Sequence, residues 1–568
     1  MRAVRVRPAS SRAYCFDDVS LNPSTPTAVI AALLGAALSV PASAAAATER
    51  ASVSSGEGQA NGVSGEPVLS ADGRFVAFVS SAYNLVAGDI NGQEVFVRDR
   101  VDGTTERIAT DAAGNQATRA STHPAISADG RFVAFESIAP NLVPGDTNGR
   151  EDIFVKDRLT GVVERVSLSS TGKQALASSG KPAISDDARY VAFESSASLV
   201  PDDTNRSGDA GSDGDVFVRD RVARTTVRVS VDSAGHEVAD GSGAPSISAD
   251  GRYVGFTSRV AGLVADDRNG VADAFVRDRS TGTTERVSVD SAGREAAGNS
   301  AAPSVAADGR WVIFASDAAN LAPGDTNAAR DIFVRDRSSG RTTRVSAGRA
   351  GGEANGPSDM PAISRDGRVV AFTSTASNLV PADGNGVSDA FIRELASSTT
   401  RRVSVDSSGA EANGSSGDLL DGSGPMTLSG DGRYAGFSSN ADNLATETSL
   451  GQIGLGDTNG ARDVFVRTEF FPPMVLSSPS VSGTAVRGQT LSGARGTWSG
   501  TPEITFAYQW QRCDAVGANC VSIVGATGLA HTLGADDVGH ALRFRVRASN
   551  IATTVWRAST ATKPVAGA

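Results

Sequence analysis

The chain has 568 residues, of which 62 are glycine and only 5% are aromatic. Hydrophobic residues make up 40% of it and charged residues 21%, which excludes the charge-rich, apolar-poor composition of disordered chains. The net charge of −11, with acidic residues spread along the chain, excludes a generic nucleic-acid binder, because such proteins need a basic surface. Four histidines and three cysteines argue against histidine-rich metal centres and thiol redox chemistry.

The N-terminus has the pattern of a secretory signal peptide over residues 1–44. Four arginines precede an uncharged apolar stretch from Thr27 to Val40, and Pro41-Ala-Ser-Ala44 follows as a small-residue cleavage site. The alternative is a membrane anchor, but these 14 residues fall short of the about 20 needed to span a bilayer. We therefore expect an exported mature chain, extracellular, on the cell surface or periplasmic, without a transmembrane segment.

A two-part repeat occurs seven times between residues 67 and 467. The first part is typified by PAISADGRFVAFES from Pro124, and the second by DIFVRDR from Asp331. The turn aspartates of the first part recur at spacings of 57 to 65 residues. They are Asp72, Asp129, Asp187, Asp250, Asp308, Asp366 and Asp431. Repeats of this length indicate that one supersecondary unit is stacked many times.

Each copy predicts four strands. Pro-Ala-Ile-Ser is a first strand, Asp-Gly a two-residue hairpin turn, and Arg-Phe-Val-Ala-Phe a second strand. Asp-Ile-Phe-Val-Arg predicts a third and Thr-Thr-Glu-Arg-Val-Ser a fourth. Apolar residues on both faces of the second and third strands are typical of sheets packed between neighbours. The sequence therefore predicts an all-β fold whose main part is a seven-bladed β-propeller.

The last copy ends at Val466-Arg467 without a fourth strand. The segment Thr48-Glu-Arg-Ala-Ser-Val53 matches that missing strand as it stands at residues 284–289. We predict that residues 48–54 complete the seventh blade and close the ring, so that no sheet edge is left open.

The core Pro-x-x-Ser-x-Asp-Gly-Arg-Tyr/Phe-Val-Ala-Phe, followed by Asp-Ile-Phe-Val-x-Asp, resembles the TolB-type, WD-like propeller repeats of exported bacterial proteins. The resemblance covers residues 48–467 and implies a propeller over 45–467. That family includes partner-binding periplasmic proteins, sensor ectodomains and propellers attached to peptidases, so the function stays open. No G-x-S-x-G motif is present and about 100 residues are too few for an α/β-hydrolase domain, so we do not expect the peptidase-linked type.

Residues 468–474 predict a linker, because Pro472-Pro473 is a stiff boundary and the repeat ends there. Residues 475–568 contain short alternating segments that predict a small β-sandwich. The strings GTWSG from Gly496, YQWQRC from Tyr508 and ADDVG from Ala535 resemble bacterial immunoglobulin-like modules. That resemblance implies that Trp510 is the core tryptophan.

Cys513 and Cys520 are separated by six residues that suit a hairpin loop. In an exported chain we expect them to form a disulfide. The competing interpretation is a two-cysteine metal site, against which the sequence offers no nearby histidine or second cysteine pair.

The connection between the second and third strands carries a recurring Asp-x-Asn-x-x-x-Asp pattern. Oxygen ligands at such spacing around a tight turn are typical of part of a calcium loop, but the usual bidentate acid at position 12 is absent. The alternative, which we favour, is that Asp and Asn bond to their own backbone in turns. The calcium candidates are Asp146, Asn148, Asp152, Asp267, Asn269, Asp273, Asp325, Asn327, Asp331, Asp383, Asn385, Asp389, Asp457, Asn459 and Asp463.

Three consecutive copies place Glu66, His123 and Lys181 directly before the opening proline, where the mouth of the propeller channel should lie. A titratable trio could serve a hydrolase or lyase. The other four copies have Ala244, Ala302, Met360 and Gly424 at this position. The trio is therefore a candidate site for the alternative function only.

The sequence favours an exported, non-enzymatic binding protein that presents the long-loop face of the propeller to a protein or envelope glycan. The alternative is a secreted carbohydrate-active or lactone-type enzyme acting at the channel mouth. Apart from the possible calcium ions we expect no cofactor, and we expect a monomer.

Overall fold

The computed structural model describes residues 46–90, 92–204, 214–238, 241–348, 351–417, 424–444, 456–501 and 503–567. The predicted signal peptide lies outside the described residues. The described residues between 48 and 468 form seven four-stranded antiparallel sheets, numbered here in chain order. Among the described residues, no helix is long and apolar enough to cross a membrane.

In six of the seven sheets the strands follow one another along the chain and pair with their sequence neighbours. Sheet 1 contains Ser64–Leu69, Phe75–Ser80, Glu94–Asp99 and Thr104–Arg107; sheet 2 contains Ser121–Ile126, Phe132–Ser137, Asp152–Asp157 and Val163–Arg165; sheet 3 contains Ser179–Ile184, Tyr190–Ser195, Asp215–Asp220 and Thr225–Arg228. Sheet 4 contains Ser242–Ile247, Tyr253–Ser258, Asp273–Asp278 and Thr283–Arg286; sheet 5 contains Ser300–Val305, Trp311–Ser316, Asp331–Asp336 and Arg341–Arg344; sheet 6 contains Ser358–Ile363, Val369–Ser374, Asp389–Glu394 and Thr399–Arg402.

Sheet 7 is built from both ends of the repeat region. Its strands are Thr427–Leu428, Tyr434–Ser439, Asp463–Thr468 and, as the fourth strand, Thr48–Arg50. The N-terminal strand runs antiparallel to the third strand, with Thr48 opposite Arg467. Residues 48–50 therefore supply the fourth strand that the last repeat lacks.

The Asp-Gly turn joins the first and second strands, and sheet 1 shows why it forms. Gly73 has φ +72°, which glycine adopts without the cost that a side chain would add. Asp72 Oδ1 accepts hydrogen bonds from Ser70 Oγ at 2.6 Å and from the backbone N–H of Arg74 at 2.9 Å. The Arg74 guanidinium then binds Asp99 of the third strand at 2.6 Å. One short sequence motif thus fixes three strands of a sheet.

Each sheet carries one stacked phenylalanine pair between its second and third strands. In sheet 2, Phe135 lies opposite Phe154 in the register, and their ring centroids are 5.8 Å apart. Both rings are fully buried. The equivalent pairs recur in all seven sheets, so the apolar interior consists of small cores between neighbouring sheets.

Neighbouring sheets contact each other through the turn glycines. A Cβ atom at Gly130 of sheet 2 would lie 2.1 Å from the ring of Phe75 in sheet 1. The Arg158 guanidinium covers the same ring at 4.3 Å from its centroid. Gly73 of sheet 1 makes the equivalent close approach to Tyr434 of sheet 7. Sheet 7 therefore meets sheet 1 as sheet 1 meets sheet 2.

The C-terminal region consists of three further antiparallel sheets. They contain Met474–Ser477 with Thr497–Ser499; Ser480–Ser482 with Thr490–Ala494 and Ala530–Thr532; and Val521–Ser522 with Thr505–Cys513, Ala541–Ser549 and Thr554–Ala558. A short 3-10 helix spans Ala535–Asp537. Trp510 is fully buried and packs on Phe544 at a centroid distance of 5.1 Å. This region therefore has its own apolar core around Trp510.

Candidate functional site

The first strand of each repeat contains a backbone irregularity at the residue before proline. This residue has a left-handed conformation in all seven copies, with φ between 48° and 53° at the six that are not glycine. The positions are Glu66, His123, Lys181, Ala244, Ala302, Met360 and Gly424. In sheets 1 to 6 the strand pairing shifts register at this point, as in a β-bulge. Left-handed backbone at residues other than glycine is costly and is often found at functional sites.

Glu66, His123 and Lys181 are brought together with two further acids. Glu66 Oε2 accepts a hydrogen bond from the backbone N–H of His123 at 2.7 Å. His123 Nδ1 lies 3.2 Å from Glu136 Oε2, and Lys181 Nζ lies 3.0 Å from Glu194 Oε1. These five residues are called the charged chain below. They run across sheets 1, 2 and 3 in alternating order of acid and base.

Sequence reasoning missed Glu136 and Glu194. Both occupy the fifth position of a second strand, where only sheets 2 and 3 have a carboxylate. A Cβ atom at Gly180 would lie 2.7 Å from Glu136 Oε2, and one at Gly243 would lie 2.6 Å from Glu194 Oε2. In each case a glycine of the following sheet leaves space for the carboxylate. The signal was present in the sequence, because two of the seven repeats read FES where the others read FVS, FTS, FAS or FSS.

A cavity of about 940 Å³ opens beside the charged chain. His123, Lys181, Glu136 and Glu194 line it on one side. Ala244, Thr257, Arg259 and Ala302 of sheets 4 and 5, and Glu151 and Ser178 from the loops of sheets 2 and 3, are among its other lining residues. Polar walls of both charges suit a polar ligand better than an apolar one.

His123 is the only histidine of the charged chain, and it lines the cavity. Its side chain is 42% exposed. Burial works to lower the pKa of His123, but the hydrogen bond to Glu136 and the charge of Glu66 outweigh it, so that the pKa is raised. Nδ1 faces Glu136 and Thr122 Oγ1, the latter at 3.1 Å. Nε2 has no hydrogen-bond partner among the described residues, and it is the atom a ligand could reach.

Backbone hydrogen bonds join neighbouring sheets at the other end of the first strands. The N–H of Ala71 donates to the carbonyl of Ala128 at 2.9 Å, and equivalent bonds continue from sheet to sheet. The acceptors after Ala128 are Asp186, Ala249, Ala307, Arg365, Gly430 and again Ala71. The side chains of Arg365 and Asp186, from sheets 6 and 3, form an ion pair there. This end is thus internally bonded, whereas the end with the charged chain borders the cavity and is called the open end below.

The predicted calcium ligands are held by arginine. In sheet 2, Arg165 lies 3.1 Å from both Asp146 and Asp152, and Asn148 Nδ2 donates to Asp152 at 2.8 Å. The backbone N–H of Arg150 donates to Asn148 Oδ1 at 3.0 Å, as in an Asx turn. Each of the other four candidate loops contains the same kind of pair. The arginines are Arg286 for Asp267 and Asp273, Arg344 for Asp325 and Asp331, Arg402 for Asp383 and Asp389, and Arg50 for Asp463.

The remaining candidates belong to these pairs. Asn269 and Asn385 donate to Asp273 and Asp389 at 2.7 and 2.9 Å. Asn327 and Asn459 donate to backbone carbonyls, and Asp457 Oδ1 accepts a bond from Gln59 at 2.7 Å. The structure thus supplies an internal cation and turn bonds at every predicted loop. Calcium binding stays a prediction.

Two groups of three acids lie close enough to share a metal ion, Asp203 with Asp215 and Glu237, and Asp383 with Asp389 and Glu411. Both groups surround an arginine, Arg228 in the first and Arg402 in the second. A guanidinium between three carboxylates neutralises part of the charge that would attract a metal ion.

The two C-terminal cysteines form the predicted disulfide, between Cys513 and Cys520. It closes the loop after the strand Thr505–Cys513, so neither sulfur is available as a metal ligand.

No protein-family model matches the chain, and no curated protein does either. Solved structures similar to it include TolB from Acinetobacter baumannii, at 16% identity and a TM-score of 0.33, over 60% of this chain and 62% of TolB. The propeller domain of the Trilobed protease from Pyrococcus furiosus is similar at 11% identity and a TM-score of 0.41, over 78% of this chain and 98% of that domain. Pyrococcus horikoshii acylaminoacyl peptidase is similar at 11% identity and a TM-score of 0.41, over 76% of this chain and 57% of the peptidase.

These similar structures include β-propellers, and the likeness concerns the fold. The chain spans less than two thirds of the length of TolB and of the peptidase. The assignment of an all-β protein with repeated four-stranded sheets rests on the strand pairing described above.

Proposed function

We propose that the protein is an exported, non-enzymatic binding protein that holds a protein or envelope-glycan ligand at the open end of a β-propeller. Its seven sheets would be the blades of one ring closed by Thr48–Arg50, and residues 475–568 an appended immunoglobulin-like module. The signal-peptide pattern and the Cys513–Cys520 disulfide support export.

Closure of the ring is supported by contacts that repeat from sheet to sheet. Gly73 approaches Tyr434 as Gly130 approaches Phe75. Glu49 of the N-terminal strand forms an ion pair with Arg100 of sheet 1. The Arg100 guanidinium lies 4.4 Å from the Tyr434 ring centroid, the distance seen between Arg158 and Phe75 to within 0.1 Å.

The observation that carries the binding proposal is that, at the residue before proline, only sheets 1, 2 and 3 have a charged or titratable side chain. Glu66, His123 and Lys181 occupy positions where the other four sheets have alanine, methionine or glycine. Since Ala244, Ala302 and Met360 have the same left-handed backbone without a charge, the left-handed conformation does not need the charges. Charged side chains that the backbone conformation does not require, placed beside a cavity of about 940 Å³, are expected to serve a ligand.

The test is binding of the mature protein to fractionated envelope polysaccharides and proteins, compared between two variants. The first carries His123→Ala and Lys181→Ala; both should fold, because Ala244 and Ala302 already occupy this position. The control carries Met360→Ala in sheet 6. We expect the double variant to lose at least tenfold in affinity for the ligand found and the control to bind normally. Equal binding by all three proteins would place the ligand elsewhere and refute the proposal.

The second candidate function is a hydrolase or lyase acting on carbohydrates or lactones. One observation favours it: His123 has an open Nε2 atom and a carboxylate partner at Nδ1, the arrangement of a general base. Lys181 and Glu194 would supply further proton donors and acceptors in the same cavity.

This second function is tested by incubating the protein with polysaccharide and lactone substrates and measuring products. Turnover that falls at least 100-fold in His123→Ala, and shifts its pH profile in Glu136→Gln, would support it. Turnover that survives in His123→Ala, or its absence on every substrate that the protein binds, would exclude the histidine as a base.

A further inference from the structure

The C-terminal module differs in charge from the rest of the chain. Residues 475–568 contain eight Lys and Arg against four Asp and Glu, a net charge of +4, whereas the whole chain has −11. Five of the eight basic residues lie in or beside the sheet formed by Thr505–Cys513, Ala541–Ser549 and Thr554–Ala558. The basic charge is thus concentrated on one element.

Side chains of the strand Ala541–Ser549 alternate strictly between two faces. Leu542, Phe544 and Val546 are fully buried in the core around Trp510. Arg543, Arg545 and Arg547 must therefore project from the opposite face, because successive side chains of a strand point to opposite sides. These three residues are called the arginine face.

The arginine face has no acidic partner within the described residues. Arg512, on the neighbouring strand, forms an ion pair with Asp537 at 2.6 Å, so one arginine of this sheet does have a carboxylate partner. By contrast, Arg543, Arg545 and Arg547 form no ion pair and no side-chain hydrogen bond in the described chain. Alternate residues of a strand are about 7 Å apart, so the three charges form a short line.

Trp556 borders this line on the edge strand. It lies opposite Arg547 in the register. The Arg545 and Arg547 guanidinium groups are 4.4 and 5.8 Å from its ring centroid. On the other side of the line, Gln511 lies opposite Arg543. Cross-strand partners share a face, so the surface combines cations with an indole ring and an amide.

We propose that the arginine face binds a carboxylated polysaccharide along the strand Ala541–Ser549. A guanidinium group binds a carboxylate through two parallel hydrogen bonds, and the loss of solvation is small because guanidinium is weakly hydrated. Gln511 can bond sugar hydroxyls, and Trp556 offers an apolar edge to the sugar ring. This site is separate from the channel end and does not depend on its function.

Charge density favours a polysaccharide over other polyanions. Duplex DNA carries one charge per about 1.7 Å of its axis and needs a wide basic surface. The arginine face is a single line of three cations on a protein of net charge −11. A thin chain with one carboxylate per sugar meets the line without bringing further anions against an acidic protein.

The test is titration of the full mature protein with polygalacturonate at low salt, with dextran as the neutral polymer. The variant carries Arg543→Gln, Arg545→Gln and Arg547→Gln. The charge-matched control removes three exposed basic residues that are not part of the arginine face, through Arg487→Gln, Arg557→Gln and Lys563→Gln. Melting temperatures of all proteins are compared with the wild type, and the single variant Arg547→Gln, at the most exposed of the three positions, is measured in parallel.

We expect the triple variant to bind polygalacturonate at least tenfold more weakly, Arg547→Gln two- to fivefold more weakly, and the control within twofold of the wild type. Dextran should not bind. The proposal is overturned if polygalacturonate does not bind, if the control loses as much affinity as the triple variant, or if duplex DNA or phosphatidylglycerol vesicles bind more tightly than polygalacturonate.

Discussion

Arginine has opposite surroundings in two regions of the molecule. In the repeat region it is bonded to carboxylates that the same repeat supplies, as Arg74 is to Asp99 and Arg165 is to Asp146 and Asp152. On the outer face of the C-terminal sheet, Arg543, Arg545 and Arg547 form no ion pair within the described residues. A repeat uses the residue to hold strands together, whereas the module leaves it open to a ligand. The same residue type therefore pairs with carboxylates in these repeats, whereas on the arginine face of the module it has no carboxylate partner among the described residues.

The largest effect should follow from removing a paired arginine. Arg165→Met leaves Asp146 and Asp152 buried without their cation, and breaking such a pair costs about 3 to 5 kcal/mol. Arg547→Met removes an exposed, unpaired charge and should change the free energy of unfolding by less than about 0.5 kcal/mol. Denaturant unfolding of the two variants measures the difference. Similar costs for both would contradict the division into paired and open arginines.

The second effect is a pH dependence within a paired cluster. Burial raises the pKa of Glu94 to about 7, against the opposing effect of Arg107 at 2.7 Å. Between pH about 4.5 and 7 the unfolded chain releases this proton while the folded chain keeps it, so the contribution of Glu94 to stability is lost as pH rises.

We expect Glu94→Gln to remove this loss, which amounts to about 3 kcal/mol. The measurement is the difference in unfolding free energy between variant and wild type at pH 4.5, 6 and 8, and this difference should grow with pH. A constant difference would mean that Glu94 titrates normally beside its arginine.

A smaller effect concerns a turn in which arginine bonds the backbone. Ala188 has φ +56° at the position that is glycine in the other six repeats, and its carbonyl accepts a bond from Arg221 at 2.5 Å. Left-handed alanine costs about 1 to 2 kcal/mol. Glycine avoids this cost, but it loses more backbone entropy on folding, which offsets part of the gain. Ala188→Gly should therefore stabilise the protein by about 0.5 to 1 kcal/mol, measured as a rise in melting temperature. The reverse change Gly130→Ala is the control and should destabilise it.

The smallest effect is expected from calcium. Arginine already lies between the candidate carboxylates, as Arg402 does between Asp383 and Asp389, so added calcium should not move the melting temperature of chelator-treated protein. Calorimetric titration checks the same point. Measurable heat with a thermal shift would show that the ion displaces arginine and would restore the calcium interpretation.

Local patterns predicted the strands well, because the turn residues, the phenylalanine positions and the charged residues of each repeat lie close together in the sequence. The partner of Thr48–Arg50 was also readable, since the last repeat visibly lacks a strand. Contacts between sheets were harder to predict. Glu136 reaches the backbone of Lys181, and Arg365 reaches Asp186, through spatial neighbours that no local spacing encodes.

The left-handed residue before proline also bears on how the molecule could be altered. Five different side chains and glycine are found there, and the backbone is left-handed in every case, so the conformation does not depend on the side chain. In the proposed ring these seven positions surround one opening, and each accepts different residues. Proteins that bind new ligands could be sought by substituting these residues in combination, without changing the strands of the sheets.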